Sequence, residues 1–386
     1  MTSQLRRAWL ATVVWFVINS IGYSSFLVRL PEIKDLIDAS NTVLGLSIFV
    51  ASLGALAAIK YGGQWSAKYG TSPVMVVSGL ATAALFPVFG LLLNVLFFAA
   101  SLFLVFLAIS VVDVAMNAHA VTIEQQSGKT IMGRLHAMWS LGGISGGIIG
   151  GLFSAAKVSL FTHSLIVSAL TFALVLFFKN YLLPADADKH EIDYSNPVKT
   201  KMPRIIYVLG FIGLCAAIME GSASDWGAVL MNDEYGQSGF IASLPYIVFQ
   251  TGMVAGRLTA DSISKKIGRS RILFYSGFIA AIGLSFGLIV GGPIPTIFAW
   301  ICIGIGASSV IPMAFSMAGT IANETGGIPA SQAVARVSGI AYSAFFIGPP
   351  LIGVISDLSS LRVAMAIPAV LALGVAVGSR AIHIKD

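Results

Sequence analysis

The chain has 386 residues, of which 56% are hydrophobic and only 10% charged, with a mean hydropathy of +0.88. A soluble domain carries about 25% charged residues, so there is too little polar surface here to cover a water-facing fold. The net charge of +6 comes from 23 Lys and Arg spread along the chain, which excludes a basic nucleic-acid-binding face.

What remains is an integral membrane protein. A helix needs about 20 apolar residues to cross the hydrocarbon core. Continuous, non-alternating runs predict an all-α chain of about twelve transmembrane helices, near 8–28, 39–59, 73–93, 96–122, 135–156, 158–178, 205–229, 238–258, 272–292, 296–320, 337–356 and 363–381.

Helix 1 follows a basic start, "MTSQLRRAWL", that resembles a signal peptide. The spans that follow make it an uncleaved first helix. Asn19 and Tyr23 share one of its faces and are candidates to line a substrate cavity. From Tyr69 to Val112 there is no Asp, Glu, Lys or Arg, and then helix 4 presents Asp113, Asn117 and Glu124. These three lie within about 40° on a helical wheel, so they form one stripe. Asp113 falls about 6 Å to one side of the helix middle. A charge there costs roughly 2.5–3.5 kcal/mol on insertion scales, so the stripe faces water, not lipid.

Helix 5 carries "GGISGGIIGG", whose glycines at four-residue spacing predict close helix packing. His119 and His136 read as polar residues near the cytoplasmic side. The longest hydrophilic stretch is residues 182–204, a linker with charges of both signs and three prolines. It divides the chain into a six-helix half at 1–181 and a second at 205–386. Helix 7, "CAAIMEGSASDWGAVL", places Glu220 near its middle and Asp225 with Trp226 nearer an end, where an interfacial pair is expected. Tyr246 and Gln250 share a face of helix 8, and Tyr342 lies in helix 11; these too are cavity candidates. Cys215 and Cys302 lie inside helices and fit neither a disulfide framework nor a metal spacing.

The halves echo each other. "GRLHAMWSLGGISGGIIGG" and "ARVSGIAYSAFFIGPPLIG" lie 202 residues apart, matching Arg134 with Arg336. "AIKYGGQWSAKYG" matches "GRLTADSISKKIG" at an offset of 198, placing Lys68 on Lys266 and Gly70 on Gly268. Two six-helix repeats are a common architecture of secondary transporters. With both termini cytoplasmic, nineteen of the 23 basic residues fall inside, and only Arg29, Lys34, Lys157 and Arg362 fall outside. The expected location is the inner, cytoplasmic membrane.

"GRLTADSISKKIGRSR", residues 256–271, resembles the signature loop of the major facilitator superfamily, found between helices 2 and 3 and again between 8 and 9. The resemblance implies two pseudo-symmetric six-helix bundles working by alternating access as a monomer. It also implies a conformational gate of Gly256, Arg257, Asp261 and Arg269, to which Arg134 and Arg336 are added. The first-half copy departs from the pattern, with Gly63 where the acid is expected. Asp-x-x-x-Asn at Asp113 and Asn117 resembles the Glu-x-x-x-Asn of fucose-permease-like sugar–proton symporters, and the match puts a proton-coupling acid at Asp113. That branch also carries an acid in helix 1, whereas "INSIGYSSFLVRLPE" has none inside the membrane. Drug–proton antiporters carry Gly-Pro in helix 5 and Arg in helix 4; here proline is absent and Asp113 stands instead.

The reading is a secondary active transporter, proton-coupled and importing, with Asp113 and Glu220 as proton carriers. No basic residue is expected mid-helix, so a small polar neutral or cationic solute suits the cavity better than a phosphate or dicarboxylate. Its partners are that solute, protons and the lipid bilayer, with no nucleic acid. A proton-coupled antiporter on the same scaffold is the alternative; a polytopic membrane enzyme is further off. No Walker loop, His-Glu-x-x-His or cysteine–histidine cluster occurs, so no catalytic residue, metal or cofactor is expected.

Overall fold

The computed structural model describes residues 2–188, 202–325 and 330–382 and, within them, every side chain except those of Asp261, Thr325 and Ser331. Most of the linker therefore lies outside the described residues. Every regular element among those described is helical. Twelve helices are long and apolar enough to cross a membrane, each overlapping one of the expected spans.

We number these helices α1 to α12. In the first half they are α1 (Ser3–Leu27), α2 (Asn41–Tyr69), α3 (Thr71–Phe89), α4 (Val95–Ser127), α5 (Met132–Ala155) and α6 (Leu160–Phe178). In the second half α7 is Arg204–Asp233, α8 Gly239–Ile267 and α9 Arg269–Val290. The last three are each interrupted: α10 runs Pro293–Ala307 then Val310–Thr325, α11 Ala330–Tyr342 then Ala344–Leu358, and α12 Leu361–Ala364 then Ala366–Ser379.

Proline accounts for two of these breaks. Pro312 cannot donate to Ser308, nor Pro368 to Ala364, and α10 and α12 break at those points. In α11 the break at Ser343 precedes Pro349 and Pro350 by one to two turns. Side-chain caps start several of the other helices. Asn94 Oδ1 accepts from the Phe97 amide at 2.9 Å, and Ser159 Oγ from the Thr162 amide at 3.1 Å.

Two helices run further than hydropathy indicates. α2 continues past residue 59 to Tyr69, and α8 past residue 258 to Ile267. Lys and Arg are good helix formers, so a fall in hydropathy does not end a helix. Glycine ends both. Gly70 has φ 88° and ψ 153°, and Gly268 has φ 89° and ψ 152°. That conformation is nearly closed to residues with a Cβ. The two positions matched by the 198-residue repeat thus share one backbone geometry.

Contacts divide the chain into two units, Met1–Ala39 with Leu46–Asn196, and Ser40–Gly45 with Pro197–Asp386. In the first, α1 packs on α4, α5 and α6, and α3 packs on α4 and α6. In the second, α7 packs on α10, α11 and α12, and α9 packs on α10 and α12. Adding six to each number of the first set gives the second. The short segment Ser40–Gly45 belongs with the second unit, where Asp357 accepts from the amides of Asn41 at 3.1 Å and Thr42 at 2.8 Å.

Small residues set the closest approaches. Gly142, Gly146 and Gly150 form a stripe of α5 lying directly on α1. A Cβ on Gly142 would stand 2.6 Å from the Val17 carbonyl, and one on Gly150 would strike the Ser25 carbonyl. In the second unit Gly256 lies against Ser308, so α8 and α10 touch where a larger residue has no room.

Candidate functional site

In the first unit two expected residues of α1, Asn19 and Tyr23, contact α4 within two turns of Asp113 and Asn117. Asp113 is exposed on α4, and Asn117, one turn on, donates from Nδ2 to the Asp113 carbonyl at 2.9 Å and to its Oδ1 at 3.3 Å. From α1, Asn19 Nδ2 donates to the Ile109 carbonyl at 3.4 Å, one turn before Asp113. The Tyr23 ring meets Phe106 edge-on at 5.4 Å, on the stripe of α4 that carries Asp113. An exposed carboxylate in a membrane span must face a watery route, because hydrocarbon does not solvate it.

Glu124 does not belong with them. Its Oε2 accepts from the amides of Ile131 at 2.7 Å and Met132 at 3.1 Å, capping the start of α5. Glu124 lies within α4, and the turn that follows brings the Ile131 and Met132 amides back onto its carboxylate. His119, expected as a polar residue near the cytoplasmic side, is fully buried. The Leu183 amide donates to its Nε2 at 3.4 Å, so Nδ1 carries the proton and donates to Thr71 Oγ1 at 2.7 Å. Thr71 in turn bonds Asp188 through both its amide and its hydroxyl. The first residues of the linker are thereby docked on the first unit. A small cavity beside Asn19, lined also by Trp15, Thr82, Phe86 and Thr171, has room for about one water and none for a solute.

The second unit contains a pair that sequence reasoning separated. Arg257 Nη2 lies 3.9 Å from Glu220 Oε1, with each side chain about 34% exposed. Glu220 is within a turn of the centre of α7. A cation therefore does reach mid-span, contrary to the expectation from sequence. Arg257 falls at the end of the expected span 238–258, but α8 continues to Ile267, so Arg257 lies well inside the helix and its long side chain extends to Glu220.

Tyr246 and Gln250 are both buried and bonded to each other, Gln250 Nε2 donating to the Tyr246 hydroxyl at 3.1 Å. They form an internal contact of the unit. Tyr342 is exposed, with Phe345 at 6.0 Å. Asp225 and Trp226 are not interfacial: both are buried, because α7 is the helix the others surround. Arg134 and Arg336 are exposed near the starts of α5 and α11, and Arg269 Nη1 donates to Thr320 Oγ1 at 3.1 Å. The Asp261 side chain lies outside the described residues.

Sequence reasoning missed a buried ionic cluster in the first unit. Arg29, expected only to fall on the outer side, is 1% exposed. Its Nε and Nη2 reach both oxygens of Glu32, at 3.1 and 2.5 Å, and Nη2 also donates to the Val158 carbonyl at 2.7 Å. Its Nη1 lies 3.2 Å from His163 Nδ1. Arginine only donates, so Nδ1 accepts and His163 Nε2 donates to Ser25 Oγ at 3.1 Å. The Phe26 ring stacks on the imidazole at 4.4 Å. The signal available was Arg29 and Glu32 at i, i+3 around Pro31, with His163 as the one titratable residue of α6.

A family model described as Major Facilitator Superfamily matches residues 12–328 and again 209–383. An uncharacterized MFS-type transporter of Yersinia pestis is 31% identical over 375 residues, covering 96% of this chain and 95% of that one. The membrane protein MosC of Rhizobium meliloti is 24% identical over 372 residues, covering 95% and 88%. Among solved structures, a mutant of the nucleoside transporter NupG superposes with a TM-score of 0.79 at 14% identity, covering 97% of this chain and 99% of that one. An inward-facing, occupied bacterial homolog of the human lysosomal transporter Spinster gives 0.76 at 12% identity, covering 99% and 97%. At those identities the likeness establishes the fold alone.

Proposed function

We propose that this chain, which belongs to the Major Facilitator Superfamily, imports a small polar neutral or cationic solute by proton symport through Asp113. Its general activity is that of the family: it is a secondary transporter, not an enzyme, and a multi-pass membrane protein of twelve apolar helices.

The observation that carries the finer reading is Asp113 itself. It is an exposed carboxyl in an otherwise apolar span, hydrogen-bonded by Asn117, beside Asn19 and Tyr23. Such a carboxyl can take a proton on one side of the membrane and lose it on the other. Glu220 is the second-half carrier in this reading, with Arg257 neutralising it whenever the proton leaves. With the proton gone the pair has no net charge, and in that form it does not favour an anionic solute. Gly256, Arg257, Asp261, Arg269, Arg134 and Arg336 form the gate of an alternating-access cycle run by a monomer.

The test is a thermal-shift screen of sugars, amines, vitamins and nucleosides on the purified chain, followed by uptake of any hit into proteoliposomes. Nucleosides are included because a structural neighbour carries them. A hit accumulated under an inward proton gradient, and not without one, is the expected result. Accumulation that ignores the proton gradient would defeat the symport reading.

The split of basic residues supports cytoplasmic termini in the inner membrane. Single cysteines at Ser195 and Ser238, in a background lacking Cys215 and Cys302, test it with an impermeant thiol reagent on intact cells. Ser238 should label and Ser195 should not.

A further inference from the structure

The middle of α7 carries two carboxyls, Glu220 and Asp225. Five residues at 3.6 per turn put them on nearly opposite faces, about 140° apart. Glu220 is a third exposed and has a guanidinium beside it. Asp225 is 8% exposed, and among the described residues no hydrogen bond or ion pair reaches its carboxyl. The adjacent Trp226 is fully buried, and its Nε1 likewise has no partner.

Every element packed on α7 can be searched for a group that would hold an Asp225 anion. On α8, Arg257 lies at Glu220, Tyr246 bonds Gln250, and Lys265 and Lys266 stand in the last turn, with Asp261 in the same final stretch. The first segment of α10 has no charged residue, and its Cys302 lies against Gly283; the second has only Glu324, near its end. On α11, Arg336 is near the start, Tyr342 meets Phe345, and Asp357 accepts from the Asn41 and Thr42 amides. Arg362, in the short opening segment of α12, donates to the Leu288 and Ile289 carbonyls at 2.5 and 2.8 Å. The remainder of α12, Ala366–Ser379, carries no titratable side chain. On α7 itself, Asp233 and Glu234 stand at the far end and bind Asn41 and the Arg362 amide.

No cation and no donor is offered to Asp225, and an isolated carboxylate in such surroundings is strongly disfavoured. We propose that Asp225 is a proton-binding site of the second unit. Its carboxyl is held as the neutral acid in this state and gives up its proton when the transport cycle brings water to it. Only an O–H bond is made or broken. The site lies eight residues from the end of α7 remote from the linker, about 12 Å at 1.5 Å per residue, so it loads from that side. Its purpose rests on the proton-coupled reading, but its existence does not.

Infrared spectroscopy of the purified full chain reads the site without a solute or a gradient. At neutral pH the wild type should show the carbonyl stretch of a protonated, weakly hydrogen-bonded carboxyl, shifting in heavy water. The band should vanish in D225N and persist in D113N and E220Q. Absence of the band from wild type, or its survival in D225N, overturns the proposal. If D225N does not fold, wild type carrying 13C-labelled aspartate decides the matter together with D113N. A band that moves with the label and survives D113N supports Asp225; one that ignores the label or is lost in D113N overturns the assignment. Loss of proton-driven uptake with this band intact would refute the symport reading alone.

Discussion

The guanidinium of Arg257 on α8 lies 3.9 Å from the carboxylate of Glu220 on α7, each about one-third exposed. At that exposure the pair is worth about 1 kcal/mol or less. A double-mutant cycle with Glu220→Gln and Arg257→Gln, read by thermal unfolding of the purified chain, should return a favourable coupling of that size. The two single variants should together cost more than the double variant. A coupling of zero would leave the two charges as neighbours without mutual support.

Asp113→Asn keeps the shape of the side chain and its bond with Asn117 but cannot release a proton. In proteoliposomes it should abolish accumulation driven by a proton gradient and spare solute exchange at equal pH. Asp113→Ala should lose both if the carboxyl also touches the solute. Wild-type accumulation by Asp113→Asn would make Asp113 structural and leave Glu220 as the candidate carrier.

The α5 stripe makes a graded packing test. Gly150→Ala drives a methyl into the Ser25 carbonyl on α1, and Gly146→Ala meets Ser24 Oγ at 2.5 Å. Each should cost about 1–3 kcal/mol, the usual cost of overpacking. Gly133→Ala, with nothing within 4 Å, should be neutral or stabilising, since alanine is the better helix former. Equal melting temperatures for all three would refute close packing of α1 on α5.

The buried cluster on Arg29 predicts an asymmetry. His163→Leu leaves Arg29 Nη1 short of an acceptor and should cost about 1–3 kcal/mol. Glu32→Gln removes the counter-charge of a buried guanidinium and should cost more than His163→Leu, though less than the roughly 3–5 kcal/mol of a fully buried pair because Glu32 is a third exposed. Denaturant or thermal unfolding at neutral pH measures both. A Glu32→Gln variant as stable as wild type would mean that Arg29 is solvated in the folded chain.

Gly70 and Gly268 should both resist substitution. Their shared φ near +90° costs a residue with a Cβ about 1–3 kcal/mol. Gly70→Ala also drives its Cβ into the Ala185 carbonyl, so its cost should exceed that of backbone strain alone. Wild-type Tm values for both variants would refute the strained backbone.

Hydropathy determined the number of spans and the all-helical class, and matched motifs gave the two-fold repeat. Each depends on local composition or on self-similarity, which a chain carries whether folded or not. The Asp113–Asn117 relation was also legible, because one helix and its period suffice to place it. What folding alone decided were relations across helices. Arg257 reaches Glu220 because α8 outlasts its hydrophobic run and ends at Gly268. Arg29 is buried because His163, 134 residues away, is folded against it. Among the described residues no donor or cation on the helices packed against α7 reaches Asp225, although its sequence surroundings read as a membrane interface. Helical period tells which residues of one helix share a face. Which helix covers that face, and whether it brings a partner, depends on contacts between segments remote in the chain.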